Sequence, residues 1–307
     1  MVFGIFEKGF VLLLLSLVLM TGCSSSPPAS AGKVQVVATF FPLAELAARV
    51  GGDRVEVSTL VPPGVEPHDF EPTPGVIARL SGAKAFVTIG LGFAGVEKPL
   101  MEAAGPQLKV VSASQGVALL SVDSNELPSD AHVPAGGSDP HIWLSPKNMI
   151  LMAQNVRNGL SAADPAGAAE YQKNADAFIA DLNALDAEFQ SGLMDCSNRV
   201  ILTSHFAFAY LARDYNFRQI GISGIDPESE PSPGQIREII DAARAYNIHV
   251  VFTEELVDPR IGDAIARDVG ASTLVLSPLE GPSNPDATYL NMMRQNLENL
   301  RVGMDCK

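Results

Sequence analysis

The sequence predicts an α/β protein in which two lobes, each with a mainly parallel sheet, are joined by one long rigid helix. Short β-rich runs alternate with helical runs from Val34 to the C-terminus, which is typical of parallel sheets. One stretch interrupts that alternation, because residues 165–194 keep a helical period with no glycine or proline between Gly167 and Gly192. The length of 307 residues, with 47% hydrophobic and 18% charged residues, fits two well-packed domains of ordinary size.

The first predicted lobe alternates strands and helices up to the start of the long helix. Thr73 is expected to cap one of these helices, and Gly82 is expected to end it. A segment rich in Ser, Asp, Pro and Gly, residues 121–140, separates the last strand from the last helix. We expect strands at 34–41, 54–61, 83–90 and 108–113, and helices at 42–50, 73–82, 96–104 and 147–160.

The second predicted lobe repeats the alternation after the long helix. Asp164 is predicted to cap the long helix and Pro165 to begin it, and a rise of ~1.5 Å per residue makes it about 40 Å long. A helix of that length between two α/β units indicates a rigid connection. We expect strands at 199–205, 217–222, 248–255 and 272–276, and helices at 206–215, 236–247, 259–270 and 287–303.

The N-terminus resembles the signal of a bacterial lipoprotein. An apolar stretch, Val11–Met20, is too short to span a bilayer comfortably and is followed at once by Thr21, Gly22 and Cys23. The resemblance implies cleavage before Cys23 and acylation of its thiol, and the alternative is an uncleaved membrane anchor. We therefore expect an exported protein held by its lipid on the cell envelope, in the periplasm or on the outer face of the plasma membrane. The expected boundaries are a signal peptide at 1–22, a tether at 23–33, a lobe at 34–163, the long helix at 164–195 and a lobe at 196–307.

Charge and cysteine content narrow the functional class. A formal net charge of −14 argues against nucleic-acid binding, because phosphates would be repelled, and is compatible with a cation as cargo. After Cys23 the chain contains only Cys196 and Cys306. In an oxidising compartment these two are expected to form a disulfide that ties the C-terminus to the second lobe. The alternative is a pair of free thiols.

Three histidines and one glutamate follow the predicted strands or long loops. His68 lies in a loop, residues 61–74, that five prolines stiffen, and His205 ends a strand. His141 lies between the irregular segment and a helix, and Glu280 follows the last strand. Ligands of α/β sheets bind at the carboxyl ends of strands, and three imidazoles with one carboxylate form a natural four-coordinate zinc set. A hydrogen-bonded histidine on a rigid surface loop is the alternative for His68.

Five motifs in order make the resemblance to a family explicit. The chain resembles the solute-binding lipoproteins of zinc and manganese ABC transporters, in the cluster with a single long connecting helix. That resemblance implies two α/β lobes with a metal between them, and it covers nearly the whole chain after the tether. The motifs are GVEPHDFEPTP at 64–74, DPHIWLSP at 139–146, TSHFAFAYLARDY at 203–215, FTEELVDPR at 252–260 and LSPLEG at 276–281.

The resemblance also implies a ligand set. It assigns metal binding to His68, His141 and His205, and Glu280 matches the glutamate of a PLEG-type stretch that binds the metal in some relatives. Many relatives place an aspartate where this chain has Ser277, so Ser277, Glu255 and water remain reserve candidates for the fourth position. Zinc is expected rather than manganese or iron(II), because nitrogen-rich sites favour zinc.

Two histidines are expected to lie outside the site. His132 lies where zinc importers of this family often carry a His-rich segment, and it is expected to be an idle surface residue or a weak capture group. His249 is expected to be a satisfied interior histidine, since apolar residues surround it in a predicted strand. Asp69 and Asp139 are candidates to hold the second N–H of a ligating imidazole.

The resemblance implies a monomeric, non-enzymatic carrier that captures Zn²⁺ and delivers it to a membrane permease driven by a separate ATPase. A manganese or iron(II) carrier of the same class is the alternative. A zinc metallohydrolase would be another class, but the chain has no HExxH, G-x-S-x-G or P-loop motif. A surface adhesin is the third, since some relatives have that role.

Overall fold

The computed structural model describes residues 32–93, 96–121, 137–282, 284 and 286–307. The predicted signal peptide, Cys23 and His132 lie outside the described residues. Within the described ranges, no helix is both long enough and apolar enough to cross a membrane.

The first sheet has four parallel strands in the order β2-β1-β3-β4. Its two central strands have almost wholly buried carboxyl halves, as expected for a parallel sheet covered on both faces. The strands are β1 (Val34–Ala38), β2 (Val55–Thr59), β3 (Ala85–Thr88) and β4 (Lys109–Ser112).

The second sheet repeats that arrangement, with four parallel strands in the order β6-β5-β7-β8. In both sheets the first strand of the lobe lies beside the third, so the chain reverses its direction of winding between these two strands. The crevice at such a reversal is where open α/β sheets bind ligands. The strands are β5 (Val200–Thr203), β6 (Arg218–Gly221), β7 (Val250–Thr253) and β8 (Ser272–Val275).

Nine helices occur in the described part of the chain. The predicted α/β class with two parallel sheets and one long helix is confirmed. The helices are α1 (Phe41–Gly51), α2 (Pro74–Ala78), α3 (Glu97–Ala103), α4 (Pro146–Ala163), α5 (Ala168–Gly192), α6 (Ala209–Tyr215), α7 (Pro233–Ala245), α8 (Arg260–Val269) and α9 (Tyr289–Gly303).

The long helix is α5, whose 25 residues extend over about 37 Å. One face of it is buried at intervals of three or four residues, at Tyr171, Ala175, Phe178, Leu182, Leu185 and Phe189. The prediction that Asp164 caps this helix is wrong, because a short 3₁₀ turn precedes α5 and Gly167 occupies the N-cap. The Asp164 carboxylate instead accepts hydrogen bonds from Arg54 at 2.8 and 3.0 Å and from the Tyr171 hydroxyl at 2.7 Å.

One hydrophobic core extends through both lobes and the buried face of α5. At its centre the Trp143 side chain is fully buried, and its indole N–H donates to the Pro278 carbonyl of the second lobe at 2.7 Å. In return, the Tyr289 hydroxyl donates to the Trp143 carbonyl at 2.8 Å. These bonds between buried groups hold the loops of the two lobes against each other, since a broken one would leave a buried polar group unsatisfied.

The predicted disulfide between Cys196 and Cys306 is present. It joins the segment after α5 to the end of the chain, and the two cysteines are 110 residues apart in sequence. Backbone hydrogen bonds from Ser197 to Asp305 and from Asn198 to Met304 extend this contact. The C-terminus is therefore fixed to the second lobe.

Candidate metal centre

Four side chains from distant parts of the chain converge between the two lobes. Nitrogen or oxygen atoms of His68, His141, His205 and Glu280 all lie within 4.8 Å of one another. The side chains of His141 and His205 are 0% exposed, that of Glu280 is 1% exposed and that of His68 is 6% exposed. The structure thus brings together all four residues that the sequence predicts as ligands.

The spacing of these atoms fits a tetrahedral cation. The Nε2 atom of His141 lies 3.4 Å from that of His68 and 3.3 Å from that of His205. Oε1 of Glu280 lies 3.2 Å from Nε2 of His68 and 3.6 Å from Nε2 of His141. Ligands at ~2.0–2.1 Å from a tetrahedral zinc are about 3.3 Å apart, which agrees with these four separations.

Local backbone structure places His68 and Glu280 at the centre. After β2 the chain keeps pairing with β1 through backbone bonds from Leu60 and Val61, and it then enters the proline-rich loop that carries His68. The chain reaches Glu280 through Leu279, a buried residue with a φ of +57°. A leucine in this left-handed region costs about 1–2 kcal/mol, so the surrounding contacts must hold the turn that presents Glu280 to the histidines.

Asp139 orients His141. Oδ1 of Asp139 accepts a hydrogen bond from the Nδ1–H of His141 at 2.8 Å and from its backbone N–H at 2.9 Å. The Tyr210 hydroxyl donates to the Asp139 carbonyl at 2.7 Å, which fixes this segment against the second lobe. Because the carboxylate holds the proton on Nδ1, the Nε2 atom is left with its lone pair toward the centre.

Glu254 orients His205 in the same way, and the sequence analysis did not identify this residue. Both of its carboxylate oxygens lie 2.8 Å from Nδ1 of His205, and Oε1 also accepts the His205 backbone N–H at 3.1 Å. The contact follows from strand register. Thr203 of β5 pairs with Phe252 of β7, and His205 and Glu254 each lie two residues after their strand partner. The detectable signal was a carboxylate directly after a buried strand, in the TEE sequence.

Aromatic rings enclose the histidines on the side of the first lobe. The Phe93 ring lies edge-on to His68, with ring centroids 4.8 Å apart, and the Trp143 ring lies 5.2 Å from His141. These apolar rings cover His68 and His141 and leave little room for water beside their imidazoles. They thereby limit the conformations of both imidazoles.

The electrostatics of the centre favour protonated imidazoles where no cation is bound. Burial by itself lowers the pKa of His205, but Glu254, Glu280 and Glu66 outweigh it and raise that pKa to about 9. Burial likewise lowers the pKa of His141, and Asp139 with Glu280 raises it above the ordinary value. A cation therefore has to displace protons from these rings.

The pKa values of Glu280 and Glu66 shift in opposite directions. Burial by itself raises the pKa of Glu280, but His68, His141 and His205 outweigh it and hold that pKa well below its ordinary range. Burial and the negative charge of Glu280 raise the pKa of Glu66 to about 8. The centre thus keeps Glu280 ionised, which is the form that binds a metal ion.

The reserve candidates lie outside the converging group. The side chain of Glu255 is exposed, and the Ser277 hydroxyl accepts a hydrogen bond from the Leu279 backbone N–H at 3.2 Å. Of the two aspartates expected to support the imidazoles, Asp139 contacts His141 and Asp69 is exposed. The expectation that His249 is interior is wrong, because its side chain is 38% exposed and lies 3.3 Å from Asp305.

A buried cation-sized centre of three imidazoles and a carboxylate, set between two parallel α/β sheets, defines a metal-binding solute-binding protein. Residues 36–303 match the family model described as "ZnuA: Zinc-uptake complex component A periplasmic". The chain belongs to this family, and the predicted resemblance is confirmed.

Individual relatives agree with that assignment. The chain is 31% identical to the high-affinity zinc uptake system protein ZnuA of Bacillus subtilis over 314 residues, which cover 97% of this chain and 96% of that protein. It is 32% identical to the zinc-binding lipoprotein AdcA of Streptococcus pneumoniae, covering 97% of this chain but 61% of the relative, so it spans about three fifths of that protein's length. The crystal structure of the laminin-binding protein Lmb of Streptococcus agalactiae, described as a bifunctional adhesin and metal transporter, has a TM-score of 0.79 and 32% identity and covers 89% of this chain and 99% of that one.

Proposed function

We propose that this protein is the extracytoplasmic zinc-binding component of an ABC importer. The observation that carries the proposal is the convergence of three imidazole nitrogens and one carboxylate oxygen, which all lie within 4.8 Å of one another. In this proposal His68, His141, His205 and Glu280 bind one Zn²⁺ between the lobes. The ion is cargo, which the protein captures and releases unchanged.

The donor set supports zinc over manganese and iron(II). Manganese and other hard cations prefer six oxygen-rich ligands, whereas zinc accepts four ligands of mixed nitrogen and oxygen type. Asp139 and Glu254 both hold imidazoles in the tautomer that zinc binds. The names of the relatives AdcA and ZnuA, a zinc-binding lipoprotein and a zinc uptake protein, agree with this choice.

The geometry also supports a carrier over a zinc hydrolase. A catalytic zinc keeps one position open for water, whereas here Glu280 occupies the fourth corner and is itself buried. The proposal therefore contains no catalytic step.

Delivery takes place at a membrane permease with its own ATPase, and acylation of Cys23 keeps the monomeric protein near it. The core shared by both lobes and α5 opposes any wide opening of the lobes. Capture and release are therefore movements of the loops that carry His68 and Glu280. Beyond Val61, the described backbone bonds of the proline-rich loop are local ones, such as Val65 to Pro62 and Phe70 to Pro67.

Zinc titration of three proteins tests the proposal. The wild type should bind one Zn²⁺ per chain by native mass spectrometry, in preference to Mn²⁺ and Fe²⁺ in competition. His141→Ala should weaken binding by more than the roughly 10–100-fold that loss of an outer-shell partner costs. His249→Ala removes a histidine outside the centre and should bind like the wild type. Retained affinity in His141→Ala would refute the proposed site, and zinc-dependent ester hydrolysis by the wild type would favour an enzyme.

A further inference from the structure

A small acidic cavity adjoins the candidate metal centre and shares Glu280 with it. Its volume is about 20 Å³, enough for one water molecule or one dehydrated metal ion. Four of the residues that line it are glutamates. The full lining consists of Glu66, Glu254, Glu255, Leu256, Pro278, Glu280, Gly281 and Pro282.

Two carboxylates of this cavity have an oxygen that is buried without a partner. Glu280 is 3% exposed, and its Oε1 atom faces the histidines, while its Oε2 atom has no hydrogen-bond partner within the described ranges. The same holds for Oε2 of Glu66, whose Oε1 accepts the His68 backbone N–H at 3.0 Å. Buried carboxylate oxygens without partners are costly, so two of them around one cavity point to a cationic guest.

The lining of the cavity includes both buried residues at the centre and residues that reach solvent. Glu254 and Glu280 are in direct contact with the ligating histidines, whereas the Glu255 side chain is exposed and Gly281 and Pro282 are half-exposed. A cation that passes from solvent to the imidazoles along this side would meet carboxylates at every step.

We propose that this cavity is a staging position for Zn²⁺, in which Glu66 and the Oε2 atom of Glu280 hold the ion on its passage between solvent and the three histidines. This inference rests on the proposed function and adds the path by which zinc reaches and leaves the proposed binding site. Glu280 belongs to both positions, so the ion keeps one bond to it while imidazole nitrogens replace water and the Glu66 oxygen. Stepwise ligand exchange lowers the barrier in both directions and leaves the final affinity unchanged.

The test compares zinc kinetics of Glu66→Gln with those of the wild type. Glutamine keeps an oxygen for the His68 backbone N–H and removes the carboxyl group, which can lose its proton to bind a cation. Emission of Trp143, the single tryptophan of the chain, reports occupancy because its ring lies 5.2 Å from His141. Stopped-flow mixing with Zn²⁺ gives the association rate, and mixing the loaded protein with excess chelator gives the dissociation rate.

We expect both rates of Glu66→Gln to fall by roughly tenfold, the lower end of the effect that focused charge has on cation association, while Kd stays within about twofold. Glu71→Gln is the matched control, because Glu71 is an exposed glutamate in the same loop and undergoes the same chemical replacement. Its rates should equal those of the wild type.

Three results would overturn the staging position. They are unchanged rates in Glu66→Gln, an equal slowing in Glu71→Gln, and a weaker Kd with faster dissociation, which would make Glu66 an ordinary contributor to affinity. Failure of the wild type to bind Zn²⁺ would overturn the proposed function as well, so the two failures are distinguishable.

Discussion

Replacing Glu254 by glutamine should change the number of protons that zinc displaces from the centre. In the wild type the pKa of His205 is about 9, so at pH 7 its ring carries nearly one full proton, about 0.99. Zinc binds the neutral imidazole, and that proton must leave. Glu254→Gln keeps an acceptor for Nδ1 but removes the charge that most strongly raises the pKa of His205. With the pKa near its ordinary value of 6.5, the ring would carry about 0.25 proton at pH 7.

The expected result is a decrease of about 0.7 in the protons released per zinc. Isothermal titration at pH 7 in two buffers with different heats of ionisation measures this number directly. The pH dependence of zinc affinity provides a second measurement of the same proton release. Wild-type affinity should rise more steeply with pH than that of the variant between about 6.5 and 9, because only the wild type still loses a proton there.

Glu238→Gln is a suitable control, since Glu238 is exposed on α7 and the same charge is removed. Equal proton release by the wild type and Glu254→Gln would refute the reasoning. It would mean that Glu254 orients the His205 ring without holding a proton on it.

Three further predictions concern stability. The zinc-free protein should lose stability to urea as the pH rises from about 6.5 to 9, because the protonated form of His205 stabilises the fold fully below pH 6.5 and no longer above pH 9. The raised pKa of Glu66, about 8, lowers stability in the same direction as the pH rises above about 4.5. A urea midpoint that increases between pH 6.5 and 9 would contradict this prediction. Replacing Cys196 and Cys306 together by serine should cost ~2–5 kcal/mol, since their bond closes a loop of 110 residues, and an unchanged melting temperature would contradict this. Gly159→Ala should destabilise by about 1–3 kcal/mol although alanine favours helices, because its Cβ would lie 2.3 Å from Val111 Cγ2, and a gain in stability would show that β4 moves aside.

Much of the fold follows from local patterns. The buried stripe of α5 is visible as an apolar repeat from Tyr171 to Phe189, and the Thr73 side chain accepts the Val76 N–H as a cap should. Asp164 shows where local reasoning fails. An aspartate before a proline has the pattern of a helix cap, but Arg54, 110 residues away in sequence, uses its carboxylate instead. A pattern of neighbouring residues contains no information about such a partner.

The candidate site was also predictable in part, because the four converging residues could be identified from the sequence and Glu254 could not. The rule that ligands lie beyond the carboxyl ends of strands selects His205 and Glu280 from the sequence, and the structure brings them together with His68 and His141. The same rule could not choose between Glu254 and Glu255, which are adjacent. Only the pairing of β5 with β7 decides that Glu254 faces His205, and strand order is not a local property.

The two proposed ligands furthest apart in sequence, His68 and Glu280, are separated by 212 residues. An ion that binds both therefore cross-links most of the chain, and only the folded protein presents the full set of ligands. By mass action such a ligand stabilises the native state by about 4 kcal/mol when its free concentration is 1,000 times Kd. Proteases act mainly on transiently opened chains, so zinc-loaded molecules should outlive empty ones. The abundance of this protein would then follow the external zinc supply without any change in its synthesis.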